Sequence, residues 1–137
     1  MSAPILLDTC ALLWLSNGAP LHPAATAAIE AARDDEDGLL VSPISAWEIG
    51  QLVGKGRLPL LLEPRLWFAE ALEAGLTLAP MPPEVLIASS FLPGERLRDP
   101  ADRILAATAR TYRYRLMTRD RPLLAFGAEG NAEMIEC

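Results

Sequence analysis

The run Ile5-Leu6-Leu7 carries no polar residue and stops at Asp8-Thr9. A strand without a wet face fits a sheet covered by helices on both sides. Leu39-Leu40-Val41, ended by Ser42-Pro43, is a second run of this kind. Helical patterns separate such runs. Ala11, Leu12, Trp14 and Leu15 form one, halted by Asn17-Gly18; Pro23 to Arg33 forms the next, with Ala25 and Ile29 inward. Ser42-Pro43 opens a third, through Ile44, Trp47, Ile49, Leu52 and Val53 to Gly54 or Gly56, and a fourth runs from about Pro64 to Ala74. Leu76 to Leu78 is a strand candidate, and Pro82-Pro83 opens a helix broken by Pro93-Gly94. After a helix starting near Pro100, Tyr114 to Thr118 reads as a strand, a short helix lies around Leu123-Leu124, and Glu133 to Ile135 is the last strand. This alternation predicts one α/β domain over residues 1–137. Its architecture is a three-layer α/β/α sandwich on a mainly parallel sheet of about four to five strands.

A chain of 137 residues, 51% of them hydrophobic, is large enough to bury one core. No apolar run is long enough to span a membrane, and the first residues lack the pattern of a secretion signal. Cys10 and Cys137 form no metal-ligand spacing, so the expected location is the cytoplasm with free thiols. His22, the only histidine, sits beside Pro23 in a loop and is expected at the surface. The three tryptophans, Trp14, Trp47 and Trp67, all fit the apolar sides of amphipathic helices.

The acids are distributed in a way that packing does not require. In Arg98-Asp99-Pro100-Ala101-Asp102-Arg103, Asp99 is a good N-cap, Pro100 suits the first helical position and Asp102 falls in the first turn. That stretch alone is accounted for by helix capping. However, Asp8 ends the first strand and Asp120 follows a late one, while Glu48 lies near the start of the third helix. In parallel α/β sheets, ligands bind beyond the carboxyl ends of the strands, where strand order reverses. Four carboxylates gathered there would repel one another unless a cation neutralised them. Oxygen donors without a His or Cys cluster select Mg²⁺ or Mn²⁺ over zinc. For Glu48 a structural competitor exists, since Ser45-Ala46-Trp47-Glu48 matches a capping box.

The net charge is −6, yet the segment from Arg96 to Arg121 holds eight of the 12 basic residues against three aspartates. A basic field around fixed carboxylates suits a polyanion held near a metal, and a solvated basic face explains it equally well. Arg98, Arg103 and Arg119 are the candidates for contacting a phosphate. Large apolar residues also crowd the segment from Leu58 to Leu72, more than a small domain readily exposes, which makes part of it a candidate docking groove.

The ordered set Ile5-Leu6-Leu7-Asp8-Thr9, Ser45-Ala46-Trp47-Glu48-Ile49, Asp99-Pro100-Ala101-Asp102-Arg103 and Leu116-Met117-Thr118-Arg119-Asp120 resembles the PIN-domain ribonucleases. Among these it is most similar to the VapC-type toxins of bacterial toxin–antitoxin pairs. The resemblance implies a metal-dependent endoribonuclease using Mg²⁺ or Mn²⁺, acting on RNA, forming a homodimer and restrained by a cognate antitoxin. It places Asp8, Glu48, Asp102 and Asp120 at the four acidic positions, with Thr9 and Thr118 as polar neighbours and Asp99 as a further acid. Two rival readings exist. A phosphatase or receiver domain on a similar sheet lacks support, because Cys10 stands where a second aspartate is wanted and Lys55 is the only lysine. A catalytically silent binding module has no need of clustered like charge.

Overall fold

The computed structural model describes residues 2–137. Its five strands are β1 (Ile5–Leu7), β2 (Leu39–Val41), β3 (Thr77–Leu78), β4 (Arg115–Thr118) and β5 (Glu133–Glu136). Helices α1 (Thr9–Ser16) and α2 (Pro23–Ala32) follow β1, and α3 (Pro43–Gly54) and α4 (Pro64–Glu73) follow β2. Next come α5 (Pro83–Ala88) and α6 (Pro100–Tyr112) after β3, and α7 (Arg121–Ala128) after β4. The sheet runs β3-β2-β1-β4-β5, with every neighbouring pair parallel. From β1 the chain moves outward on one side to β2 and β3, then returns to place β4 on the other. The order therefore reverses between β1 and β4, where a parallel sheet opens a crevice.

Side chains along each strand alternate between two cores, as the two-residue period of a strand requires. Ile5, Leu7, Leu39, Val41 and Met117 face one side, against Ala11 and Leu12 of α1, Ala25 and Ile29 of α2, and Ile49 of α3. Leu6, Leu40 and Leu116 face the other, against Leu105, Ala106 and Ala109 of α6 and Leu123 and Phe126 of α7. The result is the expected three-layer sandwich. Strand ends differ from the sequence reading by a residue: β4 starts at Arg115, β3 at Thr77, and β5 extends to Glu136.

Trp47 departs from expectation. It is 56% exposed, whereas Trp67 packs on the first core and Trp14 is half-buried. The buried face of α3 is set by Ser45 and Ile49. At 100° per residue, Trp47 lies about 200° round the helix from Ser45. The segment from Leu58 to Leu72 also divides. Leu58, Leu60, Trp67, Phe68 and Leu72 pack against the core, while Leu61 is fully exposed and Leu62 and Leu66 are partly so.

Two backbone positions are sensitive to substitution in opposite senses. A Cβ on Gly38 would collide with the carbonyl of Ala32, in the turn that delivers β2. Arg113 ends α6 in the left-handed region, at φ +59, where a side chain is disfavoured. Urea unfolding should show Gly38→Ala destabilised by about 1–3 kcal/mol. Arg113→Gly should be stabilised by up to about 1 kcal/mol.

Candidate active site

Asp8 follows β1 directly and is the N-cap of α1, 5% exposed. Its Oδ1 accepts from the Ala11 N–H at 2.7 Å, and its Oδ2 accepts from the Thr118 hydroxyl at 2.6 Å. Thr118 ends β4, and its Oγ1 accepts in turn from the Asp120 N–H at 3.0 Å. Asp120 caps α7, its Oδ2 accepting from the Leu123 N–H at 3.0 Å. The β1 and β4 corners on either side of the strand-order reversal are thus joined through one threonine.

The third corner follows β2. Ser42 caps α3, accepting from the Ile44 N–H at 3.1 Å. This overturns the capping-box alternative for Ser45 and Glu48, because the cap lies three residues earlier. Glu48 Oε1 instead accepts from the Thr9 hydroxyl at 2.5 Å, and the buried Ser45 hydroxyl lies 2.9 Å from Thr9 Oγ1. Sequence reasoning assigned Ser45 only to capping. The signal for its present role was its place three residues before Glu48, on an adjoining face of the helix.

The fourth corner opens α6. Asp99 is its cap, with Oδ1 accepting from the N–H groups of Ala101 at 2.9 Å and Asp102 at 3.1 Å. Asp102, one turn in, has its carboxyl pushed up to about 7, first by burial and then by Asp120, Asp99, Glu48 and Asp8. Burial likewise raises Asp8, opposed by the Thr118 and Ala11 hydrogen bonds, with Asp120 raising it further and Arg119 lowering it. Burial raises Glu48, with Thr9 opposing and Asp99 and Asp8 adding. Cys10 reports the same field from α1. Its thiol is pushed up to about 11 by burial and then by Asp8, Glu48, Asp102 and Asp120. The four predicted acids therefore share one region, but among the described residues no three acidic, His or Cys side chains ring a single point.

Two ion pairs, Arg65–Glu63 and Arg96–Glu129, and a His22–Glu136 contact at 3.8 Å occur among the described residues, and none involves these acids. The basic segment is mostly occupied in holding loops. Arg103 donates to the carbonyls of Ser89 at 2.7 Å and Leu97 at 2.5 Å, fixing the approach to α6. Arg110 donates to Asn131 O, Arg115 to Ala3 O, and Arg96 pairs with Glu129. Arg119 lies over the Trp14 ring at 3.9 Å and donates to Cys137 O at 2.6 Å, close enough to Asp8 to favour its ionised form. Arg98 is exposed at the mouth of α6.

The raised Asp102 carboxyl makes stability depend on pH. Between its ordinary value of 3.8 and about 7, the folded chain keeps a proton that the unfolded chain has shed. Stability should therefore fall as pH rises through that window, by on the order of 1–3 kcal/mol after allowance for solvent screening. Denaturant unfolding in EDTA from pH 4 to 7.5 should show this decline, and Asp102→Asn should flatten it and stabilise the chain at neutral pH.

Comparison with known proteins bears on this arrangement. The PIN domain profile matches residues 5–128. Ribonuclease VapC22 of Mycobacterium tuberculosis is 35% identical over 120 residues, spanning 87% of this chain and 88% of that one. Two crystal structures share the fold. PAE2754 of Pyrobaculum aerophilum superposes with a TM-score of 0.60 at 21% identity, covering 99% of this chain and 92% of its own. VapBC2 of Rickettsia felis, bound to a DNA fragment from its promoter, gives 0.65 at 15% identity, covering 96% and 98%. The extent of the profile match, together with the VapC22 relationship, establishes that this chain belongs to the PIN domain family.

Proposed function

We propose that this chain is a divalent-metal-dependent endoribonuclease, the VapC-type toxin of a toxin–antitoxin pair, using Mg²⁺ or Mn²⁺. The observation that carries the proposal is the gathering of Asp8, Glu48, Asp102 and Asp120 beyond the strand-order reversal without a basic side chain in an ion pair to any of them. The relative named Ribonuclease VapC22 supports the reaction class.

The donor set fits a hard cation: all four groups are carboxylates, and their mutual repulsion raises the energy of the cation-free site. Asp8, Asp102, Glu48 and Asp120 are the residues that would hold it. When bound, such an ion offsets phosphate charge and makes water a better nucleophile. The rest falls to the chain itself. Thr118 and the Ala11 N–H fix the orientation of Asp8. Glu48 and Asp120 would orient water or accept its proton. Of the three candidates, Arg98 is the one left to meet a phosphate, since Arg103 is committed to two carbonyls and Arg119 to the Cys137 carbonyl and the Trp14 ring. His22, the only histidine, is far in sequence from all four acids and pairs with none of them, and the carboxylates are assigned to the cation and its water, so the reading is hydrolysis to 5′-phosphate and 3′-hydroxyl ends.

Asp8→Asn and Asp102→Asn should each lower cleavage of RNA by at least about a hundredfold while leaving the far-UV spectrum unchanged. Mass spectrometry of wild-type products should find no 2′,3′-cyclic phosphate. Cleavage that survives complete chelation would overturn the metal mechanism, and a chain that binds no Mn²⁺ and cuts no RNA is a PIN-shaped binding module.

The partners that go with this reading are a cognate antitoxin and a second copy of the chain as a homodimer. The structural relative from Rickettsia felis is a VapBC complex, which supports the first. We assign antitoxin docking to the exposed part of the apolar segment, where Leu61 carries a wholly exposed side chain. Leu61→Glu should weaken co-purification with the protein of the adjacent reading frame while leaving thermal stability within about 0.5 kcal/mol.

A further inference from the structure

Ser45 is wholly buried, yet it neither caps α3 nor packs as an apolar group. A hydroxyl inside a helix commonly turns back to the carbonyl four residues earlier. Thr108 does so, donating to Ile104 O at 2.7 Å. Ser45 instead reaches out of its helix to α1, where its Oγ lies 2.9 Å from Thr9 Oγ1, and Thr9 Oγ1 lies 2.5 Å from Glu48 Oε1. Proton counting sets the direction of this chain. A hydroxyl has one proton, and an ionised carboxylate can only accept. Thr9 therefore donates to Glu48, and Ser45 must donate to Thr9.

We propose that Ser45 is a positioning residue for the nuclease reaction, acting through Thr9 to hold Glu48 beside Asp8. The inference rests on the nuclease reading above. Thr9 is the next residue after Asp8, so the Ser45–Thr9–Glu48 chain links two acids that come from different corners of the sheet and repel each other. Each hydroxyl polarises the next, so the bond that Thr9 gives Glu48 is strengthened by the bond it receives from Ser45. The chain also selects the oxygen: Oε1 takes the Thr9 proton, leaving Oε2 uncommitted to it. Without Ser45, the Thr9 hydroxyl loses the partner that fixes its rotor, and repulsion turns Glu48 outward.

The test compares Ser45→Ala and Ser45→Thr, with Glu48→Gln alone and combined with Ser45→Ala. RNA cleavage and Mn²⁺ affinity by calorimetry are the two readouts. Ser45→Ala should lower kcat by about tenfold or more with KM little changed, and weaken Mn²⁺ binding by about tenfold, as loss of a partner behind a metal ligand does. Ser45→Thr, which keeps the donor, should recover most of both. In the Glu48→Gln background, Ser45→Ala should add nothing. Wild-type cleavage and Mn²⁺ affinity in Ser45→Ala would overturn the proposal. So would an equal loss with and without Glu48, which marks a role in stability alone. If Ser45→Ala does not fold, Ser45→Cys, similar in size but a poor donor, carries the same comparison. A wild-type chain that binds Mn²⁺ but cuts no RNA would overturn the nuclease reading. In that case a tenfold affinity loss in Ser45→Ala still supports the positioning role, and an unchanged affinity overturns it.

Discussion

The hydrogen bond from Thr118 to Asp8 joins the two strands between which the sheet changes direction. It is buried, short and charge-assisted, and bonds of that class are about twice as strong as neutral ones. Its geometry depends on parallel pairing of β1 and β4, with Leu7 opposite Met117, which brings the ends of both strands to the same level. The Asp8 N–H confirms the level by donating to Met117 O at 3.0 Å. Shifting the register by one residue would point Thr118 into the opposite core and leave Asp8 buried with an unpaired oxygen, a cost of several kcal/mol. Sheet register and site geometry are in this sense one constraint.

That constraint is satisfied at an energetic cost. Burial and mutual repulsion oppose ionisation of Asp8, Glu48 and Asp102, so the folded chain carries unfavourable charge that simple packing would have removed. Helix N-termini offset part of it. Asp8, Asp99 and Asp120 are each a cap, accepting backbone N–H groups at the positive end of a helix dipole. Asp102 accepts no such bond, and its carboxyl is pushed up to about 7, by burial first and then by its acidic neighbours. The least compensated acid is the one on which a cation would act most strongly.

Much of this architecture was legible in the sequence because it follows from local chemistry. Ile5-Leu6-Leu7 and Leu39-Leu40-Val41 read as strands with two covered faces and Asp99-Pro100 as the opening of a helix, and those elements form there. The convergence of the four acids was legible from topology, since corners after parallel strands meet at one end. What failed depended on partners distant in sequence. Trp47 matched an apolar periodicity, but the buried face of α3 is set by Ser45 and Ile49, and Ser45 finds its hydrogen-bond partner in Thr9, 36 residues away. Counting arginines indicated a basic field without showing which carbonyls Arg103, Arg110, Arg115 and Arg119 would reach. Charge is a property of composition, whereas its direction is a property of the fold.

Capping, set against a functional role when only the sequence is read, leaves acceptor capacity on each of these groups. Asp120 gives Oδ2 to the Leu123 N–H, Asp99 gives Oδ1 to α6, and Asp8 gives Oδ1 to the Ala11 N–H. A carboxylate has about four acceptor directions, so a cap does not exhaust it. The helix fixes one oxygen, and with it the plane of the group, which sets where the second oxygen points. Preorganisation of this kind removes the rotamer entropy that a free surface aspartate would lose on binding a cation. Glu48 has a longer side chain and no backbone cap, so it requires a substitute anchor. The hydroxyls of Thr9 and Ser45 supply one from two different helices.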